Sequence, residues 1–425
     1  MKKLILSTLI ASSLVFTGCF KDDDTPIIIE EVTIINNNNG GGGDGETCPV
    51  IPVTGAITEN TTWTNDNIYQ LNQKVVVDNG ATLTIEEGTI IKGSPGTGSL
   101  ASALIIARGA KINAVGTPTQ PIIFTSTGDN IACGQTAGTN LDENDRGLWG
   151  GLIVLGNAPC SFSGDITEAQ IEGIPADDTF GLYGGSVSGD NSGVMQYLSI
   201  RHGGALIGEG NEINGLTLGG VGSGTVITNI EVVANVDDGI EFFGGTVNAS
   251  NLLVWAQGDD ALDIDQAYSG TINNAVVVLG DFSDHAFEID GPEGSATGSF
   301  TLQNATIIGN TVTENGEYAD YRSGATGSTS NIYAYGFKAS SDVELDNDGV
   351  ATNYNNGLLT FGTWQIVLPT GVTDVTSIFA NKAETVTVTG FGSTASAVAL
   401  GGNTVGATTS ELAWTYANAA GGLGF

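Results

Sequence analysis

Gly215-Leu216-Thr217-Leu218, Gly239-Ile240-Glu241-Phe242, Ala261-Leu262-Asp263-Ile264 and Ala286-Phe287-Glu288-Ile289 recur at offsets of 24, 22 and 25 residues. In each segment the second and fourth residues are apolar and the third is polar. That two-residue period marks a strand with one buried face. A second column keeps the same register: Asn229, Asn251, Asn274 and Asn304 each precede an apolar strand. Stacked amides can hydrogen-bond from rung to rung, and asparagine tolerates left-handed backbone. One repeat cannot bury its own apolar face, so the repeats must stack around a continuous core. The expected fold class is all-β, a parallel β-helix.

Upstream, the same signal recurs in Lys74-Val75-Val76-Val77, Thr82-Leu83-Thr84-Ile85, Thr89-Ile90-Ile91 and Ala103-Leu104-Ile105-Ile106. No 3.6-residue period is sustained in the body, which excludes a helical fold. The 63 glycines among 425 residues fit a turn at every coil. One elongated domain is expected over residues 48–425. From about residue 354 the repeat fades, and the tail is read as final coils plus a cap, since a bare terminal coil exposes pairing edges.

Asp and Glu number 47 against 12 Lys and Arg, a formal charge of −35. Such a chain lacks the basic clusters that hold phosphate, which excludes nucleic acid as a partner. Divalent cations and neutral or cationic partners remain open.

The first residues read as an address. Lys2 and Lys3 precede an apolar run over 4–16, too short to span a bilayer, and residues 1–18 are expected to be a signal peptide. Gly18-Cys19 resembles a bacterial lipobox, which implies that Cys19 is acylated and anchored in outer-membrane lipid. Phe20-Lys21-Asp22-Asp23-Asp24 resembles the export signal of outward-facing Bacteroidota lipoproteins, and a flexible tether is expected up to residue 47. Of the remaining cysteines, Cys133 and Cys160 flank one Gly-rich excursion and are expected to form a disulfide, leaving Cys48 without a partner.

The outward positions of the aligned coils are acidic. Asp237 is expected over Asp259 and Asp284, Asp238 over Asp260 and His285, and Glu241 over Asp263 and Glu288, with Asp265 and Asp290 alongside. Carboxylates held about 5 Å apart repel unless a proton or cation lies between them. Three readings stay open: a Ca²⁺ site built from Asp238, Glu241, Asp263, Asp265, Glu288 and Asp290, a solvated acidic face, or catalysis. Phe243 and Trp255 are candidate sugar-stacking aromatics, with packing under a loop as the alternative. His202, in a Gly-rich turn beside Arg201, reads as structural.

Longer stretches carry a family likeness. Gly109-Ala110-Lys111-Ile112-Asn113-Ala114-Val115-Gly116, Leu148-Trp149-Gly150-Gly151-Leu152-Ile153-Val154, Ser199-Ile200-Arg201-His202-Gly203-Gly204 and Asp237-Asp238-Gly239-Ile240-Glu241-Phe242-Phe243 resemble pectin-lyase-like right-handed β-helices of Bacteroidota surface lipoproteins. The resemblance implies a right-handed coil and a place on the cell exterior. A second resemblance is to polygalacturonase-type glycosidases, through Asn235-Val236-Asp237, Asp259-Asp260, His285 and Arg322. It implies Asp260 as general acid, Asp237 and Asp259 activating water, and Arg322 holding an acidic sugar. His285 lacks that family's flanking glycines, no lysine stands two residues after Arg322, and Arg322 is expected in a loop. The favoured function is a non-enzymatic surface protein that binds polysaccharide, matrix or a neighbouring surface protein. The alternative is a glycan-cleaving enzyme, either glycoside hydrolase or polysaccharide lyase.

Overall fold

The computed structural model of the chain describes residues 48–175, 178–206, 213–312 and 316–425. The signal peptide, Cys19 and the tether lie outside them. Leu216 pairs with Ile240, Leu262 and Phe287 on successive coils, and Thr217 with Glu241, Asp263 and Glu288, all in parallel register. The register is therefore the one the sequence offsets predict. The ladder continues upstream through Leu152–Leu155 and Ala103–Ile106. Downstream it passes through Ala319–Tyr321, Val343–Leu345 and Phe379–Asn381. The fold is a right-handed parallel β-helix.

Each central coil carries a second, longer strand, such as Val226–Val233, Asn248–Trp255, Thr271–Val278, Phe300–Ile308 and Gly327–Tyr335. These strands bend in the middle. Asn229, Asn251, Asn274, Asn304 and Asn331 sit at the bend with φ of 57°, 57°, 64°, 59° and 57°, and the strand pairing skips them. Their amides form a ladder. Asn274 Nδ2 donates to Asn251 Oδ1 at 2.7 Å, Asn251 to Asn229 at 3.4 Å and Asn331 to Asn304 at 3.0 Å, while Asn304 turns to Asn273 at 2.8 Å.

The core is the continuous apolar column that a stack requires. Leu216, Leu218, Ile240, Phe242, Leu262, Ile264, Phe287 and Ile289 are fully buried, and each coil supplies apolar surface to the next. Just before these strands only small residues fit. A Cβ on Gly239 would lie 2.3 Å from Val254 Cγ1, and the following coils carry buried Ala261 and Ala286 there.

The disulfide differs from the sequence expectation. Cys48 pairs with Cys133 across a Cα separation of 6.0 Å, and Cys160 is a free thiol. The excursion holding Cys133 folds back on the first coils, where both cysteines pack against Ile68, Ile90, Ile123 and Ile131. Cys160 lies on another face, in a cluster with Ile105, Ile153 and Phe243. Nearness in sequence did not place Cys133 and Cys160 on the same side of the coil.

The coils continue through Leu359–Phe361, Trp364–Ile366 and Ala395–Ala397. Residues 399–425 then run back along the asparagine flank as a strap. Thr404 N donates to Gln365 Oε1 at 2.6 Å, Ala407 N to Thr306 Oγ1 at 2.9 Å, and Thr408 N to Asn274 Oδ1 at 2.6 Å. Further along, Asn229 Nδ2 donates to Glu411 O at 3.2 Å, and Ala417 N to the buried Glu231 Oε1 at 2.7 Å. Arg201, beside Glu231, lies 4.4 Å over the Tyr416 ring.

Candidate functional site

The residue between the two core-facing positions of each strand points outward, so one ladder carries a column of side chains up the molecule. From the early coils on, that column reads Ile105, Ile153, Thr217, Glu241, Asp263, Glu288, Asp320 and Glu344. The two isoleucines pack with Phe162, Ile171, Ile174 and Tyr183 of the excursion 156–192. Beyond that cover the column is acidic.

A parallel column stands two residues further along each strand: Asp265, Asp290, Arg322, Asp346 and Lys382. Backbone bonds hold it in line, from Asp290 N to Ile264 O, Arg322 N to Ile289 O, Asp346 N to Tyr321 O and Lys382 N to Leu345 O. Arg322 directly follows the strand Ala319–Tyr321 and opens a turn, as expected, while its backbone bond keeps it in this column. The longer offset to Arg322 arises in the turns before its strand.

A third column precedes the strands. Asp260 N donates to Asp238 Oδ1 at 3.0 Å, and Asp260 Oδ1 accepts from both the backbone N–H of His285 at 2.6 Å and its ring Nδ1 at 2.8 Å. Asp284 N donates to Asp259 O at 2.9 Å, which puts those two residues on neighbouring coils. Asp237, Asp238 and Asp259 each bring a carboxylate oxygen within 4.8 Å of the others. The structure thus gathers all five residues of the catalytic constellation and all six of the calcium set onto one face.

Cations are rationed on this face. Arg322 Nε donates to Asp290 Oδ2 at 2.7 Å and a terminal nitrogen pairs with Glu288. Lys382 Nζ lies 3.1 Å from Asp342 Oδ2 and 2.9 Å from Glu344 Oε2. His285 is shared among Asp260, Asp284 and Glu288. Asp238, Glu241 and Asp263 form a third group of mutually close carboxylates.

Burial and crowding act together on these acids. Burial first, then the charges of Asp263, Asp260 and Asp237, hold Asp238 well above the usual carboxylate range. Glu241 is raised likewise, by burial and then Asp263 and Glu172, and Asp263 by burial and then Asp260 and Asp265. Burial is also the leading cause that pushes Asp259 up to about 6, Asp265 to about 7 and Asp320 to about 7. Glu317 rises to about 8, through burial and then a hydrogen bond with Asp342.

Neither candidate aromatic is available to a sugar. Phe243 is 7% exposed under the excursion, edge-on to Tyr183. Trp255 is 8% exposed beneath the strap, 6.2 Å from the Tyr416 ring. Both belong to covered clusters, so the ligand-stacking expectation is corrected to packing. His202 is buried, with Nδ1 2.7 Å from Asp145 O, a structural contact.

The columns run on past Asp290 through Glu317, Asp320, Asp342, Glu344 and Lys382, which the repeat spacing does not single out. Ala319-Asp320-Tyr321 and Val343-Glu344-Leu345 carry the same apolar-acid-apolar pattern. Longer turns between coils hid it.

Beside the second column an open cleft is lined by Ser163, Asp265, Asp290, Gly291, Pro292, Glu293 and Ser323. A right-handed β-helix with an acidic outward face and a polar cleft alongside defines the class. A family described as pectate-lyase like beta helix domain matches residues 55–417, and the chain belongs to it. No curated protein and no solved structure matches the chain.

Proposed function

We propose that the protein is an outer-membrane lipoprotein, anchored through an acylated Cys19 and facing the cell exterior, that binds polysaccharide along the acidic face of its β-helix. The observation that carries this reading is the open cleft, where Asp265, Asp290 and Glu293 meet Ser163 and Ser323. Carboxylates accept hydrogen bonds from sugar hydroxyls, and serine hydroxyls both accept from them and donate to them. A charge of −35 disfavours anionic polymers, so the ligand is a neutral or amine-bearing glycan. The pectate-lyase-like fold is compatible with this use.

Cleavage fits less well. Asp260 is 4% exposed and engaged by His285, and Arg322 is taken by Glu288 and Asp290. The general acid and the cationic clamp of the glycosidase analogy are thus both occupied internally. The test is retention of the purified protein on immobilised neutral, amino and uronic polysaccharides, with reducing ends assayed in parallel. Retention on neutral or amino polymers should fall at least about tenfold in Asp265→Asn/Glu293→Gln, without any release of sugar. Turnover would replace binding with catalysis, and absence of retention on every polymer would shift the reading to a protein partner.

A further inference from the structure

We infer that the Cys48–Cys133 disulfide is a mechanical latch, carrying tension from the anchor past the first coils to a rung held on both sides. The chain leading from Cys19 enters the described body at Cys48. Just beyond it, Val50–Ile57 pairs with Ile68–Val77 and, among the described residues, with no other strand. Thr61–Trp63 likewise pairs only with Thr82–Ile85 among them. Each coil of a solenoid is supported only by its neighbours, so an end coil lacks support on one side. Such ends open at the lowest cost. A pull arriving at residue 48 through the backbone alone would start there.

The disulfide changes where the pull arrives. Cys133 stands 85 residues further on, in an excursion tied down at several points. Ile131 is buried against Ile68, Ile90 and Ile123. Lys92 Nζ donates to Asp129 O at 2.7 Å and to Ile131 O at 2.8 Å. The buried Asp129 carboxylate accepts from Thr125 Oγ1 and from Ile131 N, both at 2.9 Å. Asn130 Nδ2 donates to Thr139 Oγ1 at 2.9 Å, and Thr139 N returns a bond to Asn130 Oδ1 at 2.8 Å. The strand from which this excursion departs, Ile122–Ser126, has a neighbour on either side. It pairs with Ile90–Gly93 below and with Gly193–Arg201 above. Tension entering at Cys48 therefore crosses one covalent bond to an inner rung, and the residues between the two cysteines are bypassed.

A protein held by lipid at one end and by polysaccharide along its face is under such tension. The latch takes its use from that proposed placement, yet its test needs only purified protein, so outward display could fail and leave the latch standing. The chain from residue 19 on, carrying Cys19→Ser to remove the stray thiol, is stretched between handles at its two ends. It is compared, oxidised, with the same chain carrying Cys48→Ser and Cys133→Ser.

The variant should show a separate release at lower force than any later coil. Its length is at most about 300 Å, the extended span of the 85 residues between the cysteines. The oxidised protein should lack that release. Hydrogen exchange should agree: amides of Val50–Ile57 and Thr61–Trp63 exchange at least about tenfold faster in the variant, while Leu262–Asp265 stays within about twofold. Should the variant fail to fold, wild type reduced after folding takes its place in both measurements. First coils that give way at the same force as the rest, or exchange that is unchanged or raised equally in the central coils, would overturn the latch.

Discussion

Among the described residues, His285 is the one side chain on the acidic face whose charge can change near neutral pH and whose surroundings favour the charged form. Burial alone would lower its pKa. The hydrogen bond and charge of Asp260, helped by Asp284 and Asp320, outweigh that and push it up to about 9. Glu288 Oε2 also faces the ring at 3.6 Å. An imidazole raised in the folded state contributes stability that is complete below the unfolded value near 6.5 and is lost as pH rises through about 9. The full effect is on the order of 3 kcal/mol. Urea unfolding of wild type and His285→Gln should therefore differ at pH 6 and converge by pH 10. A gap that stays constant across that range would show that the ring acts by packing alone. The His285–Asp260 pairing could be read from the sequence, because both precede strands of matched register. The Arg322 contacts could not, since turn length does not reveal the rung on which a strand lands.

The asparagine ladder is the most regular element of the long strands. It was legible because a left-handed bend and an amide stack both call for asparagine. In the same column, Tyr197 opposite Asn229 takes φ 53° without an amide, which no residue pattern announces. Asn251 donates to Asn229 and accepts from Asn274. Replacing it with alanine loses both bonds, about 1 kcal/mol each, and forces an alanine into left-handed backbone at roughly 1–2 kcal/mol more. Glycine loses the bonds but not the conformation. Asn251→Ala should thus be less stable than Asn251→Gly by about 1 kcal/mol in chemical denaturation, and the reverse order would remove backbone strain from the account. The excursions were the illegible elements. Their glycines announce turns, but only packing on Ile68 and Ile90 takes Cys133 to Cys48.

At the scale of the whole molecule, position in the cell is a matter of the anchor. If Cys19 is acylated, Cys19→Ser should move the protein from the membrane fraction to the soluble one, since each buried CH₂ of an acyl chain is worth about 0.8 kcal/mol. Alanines in place of Lys21-Asp22-Asp23-Asp24 should keep the protein in the membrane but protect it from protease added to intact cells. A wild-type protein that such protease cannot reach would refute outward display. The acidic composition was legible, whereas the strap was not. Residues 399–425 lack the strand period because they lie across the coils, and their partners are scattered through the chain.

That strap changes how the stack holds together. A solenoid joins each coil only to its neighbours, so it can come apart piecemeal. Here Asn229 and Glu411 are 182 residues apart, Glu231 and Ala417 186, and Leu141 and Tyr416 275. Those contacts close very long loops, whose closure entropy must be met before the contacts reward it, and this disfavours their early formation. The strap also follows in the chain every coil it fastens. Should the strap lie down last, Val233, Leu253, Trp255 and Val276 face water for an interval after the coils are wound. During that interval the molecule is exposed to association with its own kind, and the interval ends when the last segment lies down across the flank.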